Sequence, residues 1–324
     1  MKEFEVIRDY FTRPMFTRKD VILGVGDDAA ITQVPEKQYL ATTTDTLLEG
    51  VHFLPDTPPE AIAHRAVTTN LSDLAAMGAE PSWINLSLSI PEVDHAWLKA
   101  FSDTLHQLTQ YYSIQLIGGD TIKGTTAVTI TAQGFIPPES VITRDGAQRG
   151  DWLYLTGTVG DAALGLDILL NKVKVEDEKA RKLLVDRHYF PTPRVLAGTT
   201  LRRLASACID VSDGLIQDLQ HIIEASDVGA LLHLDKLPIS EALGQNIPDL
   251  EVALEYACKG GDDYELLFTL PEEHRVSMEN AMASYNLPIT CIGQITGAKG
   301  KVDLRMNDEA FTFSKNKQNG YQHF

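Results

Sequence analysis

In the stretch GVGDDAAI, Gly24 to Ile31, two carboxylates stand where a phosphate-binding loop has bare amides. The glycines fit G-x-G-x-x-A, a variant of the dinucleotide fingerprint, in which amides at a helix start hold a pyrophosphate. Asp27 and Asp28 occupy the positions that would face it. Each charge pair there would repel by about 4 kcal/mol at ~4 Å, for an effective dielectric near ~20. The loop therefore does not read as a direct phosphate binder. Aspartate beside small residues recurs in TTTDT (Asp45), IGGDT (Asp120), DVSDG (Asp210 and Asp213) and KGGDDYE (Asp262 and Asp263). Asp73, in NLSDLAAMG, falls instead in mid-helix on an otherwise apolar face, where a carboxylate needs a partner or a metal.

Aspartate also caps helices and starts turns. Three features set this group apart: Asp73 is not at a cap, several motifs pair Asp with Thr or Ser, and glycines flank nearly all of them. Hard oxygen donors without His or Cys clusters suit Mg²⁺, Mn²⁺ or Ca²⁺ and argue against zinc, and the spacing of an EF-hand loop is absent. Mg²⁺ uses one or two carboxylates per ion together with waters and substrate phosphates. So many carboxylates point to several ions and a polyphosphate. The carboxylates of GVGDDA would then hold phosphate through metal, and the dinucleotide match is false. TGTVGDAALG resembles a phosphate loop but lacks the lysine of G-x-x-x-x-G-K-[ST], so it reads as a glycine turn into a helix.

The elements that must position these groups alternate between strand and helix. VILGVGDDAAI and QYLATTTDTL read as strands. PPEAIAHRAVTTNLSDLAAMGA has Ile62, Ala66, Val67, Asn70, Leu71, Leu74 and Met77 at helical spacing, with Gly78 as a C-terminal stop. In SWINLSLSI, Leu86, Leu88 and Ile90 alternate with Asn85, Ser87 and Ser89, as in a half-buried strand. A helix through Trp97, Phe101, Leu105 and Leu108 precedes the strands SIQLIGGD and TAVTITAQGFI. Pro137-Pro138 and TRDGAQRGD mark the boundary of a second segment, whose strands include WLYLTG, ACIDVSD, GALLHL, YELLFTL and TCIGQI, with a terminal hairpin. At 324 residues two domains are expected, 1–137 and 138–324, each α/β or α+β.

The net charge of −17 makes a nucleic-acid or anionic-membrane partner unexpected. Cys208, Cys258 and Cys291 are far apart, which favours a reducing compartment and no structural zinc. No run of about 18 apolar residues occurs, and the N-terminus has no apolar signal region, so a cytoplasmic location is expected.

LGVGDDAA, TTDTLLEGVHF, NLSDLAAMGA, LIGGDT, DVSDGL and GGDDYEL, in this order and spacing, resemble the thiamine-monophosphate kinase family along essentially the whole chain, to the terminal GYQHF. The parent superfamily is that of aminoimidazole ribonucleotide synthetase. The resemblance implies an N-terminal α/β domain that binds ATP and metal and forms a homodimer, and a C-terminal α/β domain that covers the nucleotide. It implies magnesium ligands at Asp28, Thr43, Thr44, Asp45, Asp73, Asp120, Asp210 and Asp213. ATP contacts fall at Gly119, Asp120, Arg144 and Ser212, and contacts to the substrate at His52, Asp262 and Tyr321. One departure matters: the family commonly has GGEDYEL, and this chain has Asp262 where Glu is usual.

The implied reaction passes the γ-phosphoryl of ATP to the phosphate of thiamine monophosphate, with several Mg²⁺ ions and no general base. Two rivals follow from the same residues. A sibling synthetase would use ATP to activate an amide or selenide, but the early reactive Cys of a selenophosphate synthetase is missing. A non-catalytic sensor would bind Mg-ATP without consuming it.

Overall fold

The computed structural model describes residues 3–12, 16–314 and 320. The chain divides into two units, one of Met1–Leu74 with Ala79–Glu139 and one of Ala75–Gly78 with Ser140–Phe324.

The first unit opens with α1 (Glu3–Val6), which continues as a π-helical turn over Ile7–Phe11. Next come β1 (Val21–Leu23) and β2 (Ile31–Thr32), paired antiparallel. The remaining elements are β3 (Tyr39–Leu48), α2 (Pro59–Ala76), β4 (Glu80–Ile90), α3 (His95–Tyr111), β5 (Gln115–Lys123) and β6 (Ala127–Ile136). They build a four-stranded sheet in the order β3-β6-β4-β5, antiparallel except for β4 beside β5. The apolar stripe expected for α2 is buried at Ile62, Ala66, Val67, Leu71 and Leu74, and Gly78 at φ +71° follows its end. Leu86, Leu88 and Ile90 of β4 are likewise buried, whereas Ser87 between them is exposed. VILGVGDDAAI is not one strand. Gly26 takes φ +125°, a conformation that ends an extended run, so Gly24–Ala30 becomes the connection between β1 and β2.

The second unit contains β7 (Trp152–Thr156), α4 (Asp161–Leu169), α5 (Glu178–Tyr189), α6 (Val195–Thr200), β8 (Ala207–Val211), α7 (Leu215–Ser226) and β9 (Gly229–His233). It continues with α8 (Glu241–Asn246), α9 (Leu250–Lys259), β10 (Glu265–Leu270), α10 (Arg275–Ser284), β11 (Ile289–Thr296), β12 (Val302–Met306) and β13 (Glu309–Ala310). The sheet order is β13-β12-β9-β11-β7-β10-β8, parallel only between β12 and β9. Both faces are covered. Leu153, Leu155, Ile209 and Leu267 pack with Leu219, Ile222 and Ile223 of α7 on one side. Tyr154, Cys208, Leu266 and Phe268 pack with Met278 and Met282 of α10 on the other. Cover on two faces leaves ACIDV and ELLFTL buried at every position, Asp210, Glu265 and Thr269 included. Helix α10 has no counterpart among the elements expected from the sequence. Among the described residues no helix is long and apolar enough to cross a membrane.

Candidate active site

Side chains alternate along β3, so Thr43 and Asp45 share one face and Thr44 and Thr46 the other. On the first face, Thr43 Oγ1 donates to Asp73 Oδ2 at 2.5 Å. Burial and then the like charge of Asp73 push the Asp45 carboxyl up to about 6, against a hydrogen bond from Thr69. The fold thus brings together Thr43, Asp45 and Asp73 from a strand and a helix. Asp73 is half-buried, and the face of α2 that carries it is not otherwise apolar as expected: Thr69 and Asn70, one turn earlier, are buried polar residues. Thr44 is turned away: its hydroxyl pairs with Thr131 at 2.9 Å, as Thr46 does with Thr129 at 2.8 Å.

Asp120 lies apart from this cluster. Asp45, Ile130, Leu86 and Gly119 form one row across β3, β6, β4 and β5, so Gly119 stands three strand spacings from Asp45, roughly 14 Å. Asp120 is in the next row, with Ser87, Thr129 and Thr46, and is exposed. Gly119 must be glycine: its φ is +152°, and a Cβ would meet the Leu86 carbonyl oxygen at 1.8 Å. Val25, Gly119, Asp120 and Thr121 line one cavity, which sets the GVGDD loop beside Asp120. In that loop Asp28 is exposed, and its N–H donates to Asp27 Oδ1 at 2.8 Å. His52 follows β3 in a turn. Its Nδ1 accepts the Leu48 N–H at 3.0 Å, which leaves Nε2 to carry the proton of the neutral ring.

In the second unit, β8 ends and the antiparallel β10 begins at the same edge of the core, so DVSDG and GGDDYE meet. The Asp262 N–H donates to the Ser212 carbonyl, and the Tyr264 N–H to that of Val211, both at 2.8 Å. Asp262 and Tyr264 hold φ +67° and +52°, uncommon for residues other than glycine. The Tyr264 hydroxyl donates to Asp262 Oδ1 at 3.0 Å, and His188 Nδ1 lies 3.6 Å from Oδ2. Asp210 is buried near the end of β8, and Gln217 Nε2 donates to Asp213 Oδ2 at 3.4 Å. Arg144 is not brought to this loop pair. The Thr143 carbonyl accepts from Cys208 at the start of β8, and Ser212 is roughly 13 Å further along that strand. Tyr321 lies outside the described residues.

Sequence reasoning missed Asp218 and Glu265. Asp218 Oδ2 accepts the N–H groups of Ser212, Asp213 and Gly214, each at 3.1 Å, while burial raises its carboxyl to about 7. Its signal in the sequence is an acid in the first turn of the helix after DVSDG. Glu265 is buried and accepts Arg194 Nε and Nη2 at 2.6 and 2.5 Å, Arg187 Nη2 at 3.1 Å and Thr156 Oγ1 at 2.6 Å. Its partners lie 71 to 109 residues away, beyond any local pattern. Next to it, Asp263 Oδ2 accepts the Gly160 N–H at 2.9 Å, and burial holds that carboxyl well above its usual range. Gly160, at φ +91°, caps α4 as the glycine turn predicted for TGTVGD.

Among the described residues no group of three or more His, Cys, Asp or Glu side chains is gathered to hold a metal ion. The donor set that exists, two carboxylates and a hydroxyl at Asp45, Asp73 and Thr43, suits a partly hydrated Mg²⁺ that takes its remaining ligands from water and phosphate.

Two α/β units with carboxylates on and beside their strands and glycine-rich turns define the class, and the chain belongs to the AIR synthase related family. The N-terminal domain of that family matches residues 26–136 and its C-terminal domain residues 148–305. The chain is 49% identical to thiamine-monophosphate kinase of Escherichia coli strain K12 over 99% of its own length and 98% of that protein's. The crystal structure of thiamine-monophosphate kinase from Stenotrophomonas maltophilia K279a is 41% identical with a TM-score of 0.84, covering 91% of this chain and 93% of that one. A structure of AaThiL complexed with AMPPCP and TMP is 32% identical with a TM-score of 0.78, covering 93% and 92%. Within its superfamily the chain is thus a member of the thiamine-monophosphate kinases.

Proposed function

We propose that the chain phosphorylates thiamine monophosphate with ATP, giving thiamine diphosphate and ADP, and that it does so as a homodimer with several Mg²⁺ ions. Full-length identity to thiamine-monophosphate kinases supports the reaction. The single observation that carries the metal is the Asp45–Asp73 pair: two half-buried carboxylates repel one another beside a hydroxyl.

An oxygen of the substrate phosphate attacks the γ-phosphorus of ATP. The bond from that phosphorus to the β–γ bridging oxygen breaks, and ADP leaves with its electron pair. A phosphate monoester has its second pKa near ~6, so the acceptor is largely deprotonated at neutral pH and needs no base. Mg²⁺ held by Asp45 and Asp73 would supply charge neutralisation between the two polyanions.

The chain's own residues do the positioning. Thr43 fixes one oxygen of Asp73 by donating to it and leaves Asp45 as the second carboxylate of the pair. Asp28 in the GVGDD loop, Asp120 on β5, and Asp210 and Asp213 at the end of β8 are the further carboxylates proposed for cations. Thr44 would serve through its backbone carbonyl, since its hydroxyl is on the other face. The backbone at Gly119, together with Asp120, Ser212 and Arg144, is assigned to ATP. His52, Asp262 and Tyr321 are assigned to thiamine monophosphate. Residues 1–137 then make the ATP- and metal-binding, dimerising domain, and 138–324 the domain that contributes further metal and substrate contacts. The three free thiols favour a cytoplasmic location.

The test is ADP release by the purified chain with ATP, Mg²⁺ and thiamine monophosphate. Equal yields of ADP and thiamine diphosphate are expected. ATP binding without ADP release would mean a sensor, and ADP release without thiamine diphosphate would mean a sibling synthetase.

A further inference from the structure

The amides of Ser212, Asp213 and Gly214 converge on one oxygen at 3.1 Å each, and that oxygen belongs to the chain itself, Asp218 Oδ2. Successive amides at the start of a helix of this length form an anion site. Here the site is filled from within by a side chain that is 2% exposed. The same device recurs at the other glycine turn, where Asp263 takes the amide of Gly160 at the start of α4. Of the carboxylates of DVSDG, Asp210 is buried and Asp213 half-buried, with Gln217 Nε2 donating to Asp213 Oδ2 at 3.4 Å.

We propose that Asp218 is a positioning residue for phosphoryl transfer. By occupying the three amides of the DVSDG turn it denies them to nucleotide phosphate, so that at this turn phosphate is met by the Ser212 side chain and by cations on Asp210 and Asp213. This inference rests on the reading of Asp210 and Asp213 as magnesium ligands. It also accounts for a kinase that carries glycine turns without any phosphate-loop lysine. Removing the carboxylate opens the amides, and an anion then takes the place of the side chain.

The test compares wild type with Asp218→Gly and Asp218→Asn in the full-length chain. Mg²⁺ dependence, kcat and the KM for thiamine monophosphate are measured with and without added formate, and melting is followed on the same preparations. In Asp218→Gly the Mg²⁺ concentration for half-maximal activity should rise about 10- to 150-fold, the range for losing hydrogen bonds to a charged group. The KM for thiamine monophosphate should stay near wild type. Formate should restore part of the Mg²⁺ response by refilling the amide pocket, and inorganic phosphate should inhibit this variant more than wild type. Asp218→Asn keeps the shape without the charge and should fall between the two; it carries the test if the glycine variant does not fold. Wild-type Mg²⁺ dependence in a folded variant would overturn the proposal, as would a uniform loss in every constant with no response to formate. A wild-type chain whose activity ignores Mg²⁺ would instead overturn the metal reading, before any variant is compared.

Discussion

The carboxylates of the two units are managed in opposite ways. In the first unit, Asp45 is acted on by burial, by the negative charge of Asp73 and by a threonine hydroxyl. In the second, Glu265 meets two guanidinium groups and a hydroxyl, and Asp218 meets three amides. A buried carboxylate costs several kcal/mol unless it is paired, so a satisfied one holds the chain in place, as Glu265 does, or holds a turn that carries other site residues, as Asp218 does. A pair set against each other holds ionisation energy that an added cation releases. The contrast separates carboxylates that hold the fold from carboxylates kept for the reaction, although composition and flanking residues make them look alike.

The strongest test of this contrast is removal of metal. EDTA should abolish turnover, and Mg²⁺ or Mn²⁺ should restore it; full activity in metal-free buffer would end the distinction. Next in size is Asp73→Asn. It should lower kcat by about 10²-fold or more while melting stays near or above wild type, because a charge repulsion is removed. A drop in melting with kcat unchanged would move Asp73 to the scaffold class.

Asp262 sharpens the comparison, since it is the second unit's candidate for direct substrate contact. Asp262→Asn should raise the KM for thiamine monophosphate by about 10-fold, the low end for a charge-assisted hydrogen bond, with little change in the KM for ATP. Asparagine tolerates the left-handed backbone at this position, so the change isolates the charge. A shift in the ATP or Mg²⁺ constants instead would place Asp262 among the metal ligands.

Glu265→Gln should do the reverse of Asp73→Asn. Leaving Arg187 and Arg194 without their counter-charge should cost about 3 kcal/mol, the lower end for a broken buried pair because both arginines keep some solvent contact. Melting should fall by several degrees, at about 2–4 °C per kcal/mol for a unit of this size. A fall in kcat at unchanged melting temperature would show that Glu265 belongs to the reaction.

The smallest effect expected is in pH. The folded-state pKa of Asp45 is raised to about 6, so its ionised form is penalised in the fold. That penalty is absent below the unfolded value of about 4, grows between the two and is complete above about pH 6. Mg²⁺ should therefore raise the melting temperature by more at pH 7.5 than at pH 5, where a proton already occupies the pair. Equal gains at both pH values would show that the repulsion is not what the cation relieves.

Much of this was legible in the residues alone. The helical spacing from Ile62 to Leu74, the alternation of Leu86, Leu88 and Ile90, and the six motifs determined most elements, because each depends on neighbours within a turn or a strand. They also marked Asp73 as a carboxylate out of place. Local pattern misled at GVGDDAAI, where one glycine at φ +125° turned an expected strand into a loop. What tertiary structure decided is which carboxylate faces what. The sequence puts Thr43, Thr44 and Asp45 side by side, yet the pleat sends Thr44 to the opposite face. Asp45 and Asp120 look like equivalent strand-end acids, yet they stand on different edges of one sheet. Asp218 and Glu265 are ordinary acids in the sequence until the amides and arginines that satisfy them are brought in by other elements. A side chain's type and spacing set what it can bind, but its charge state and role depend on partners that only folding supplies.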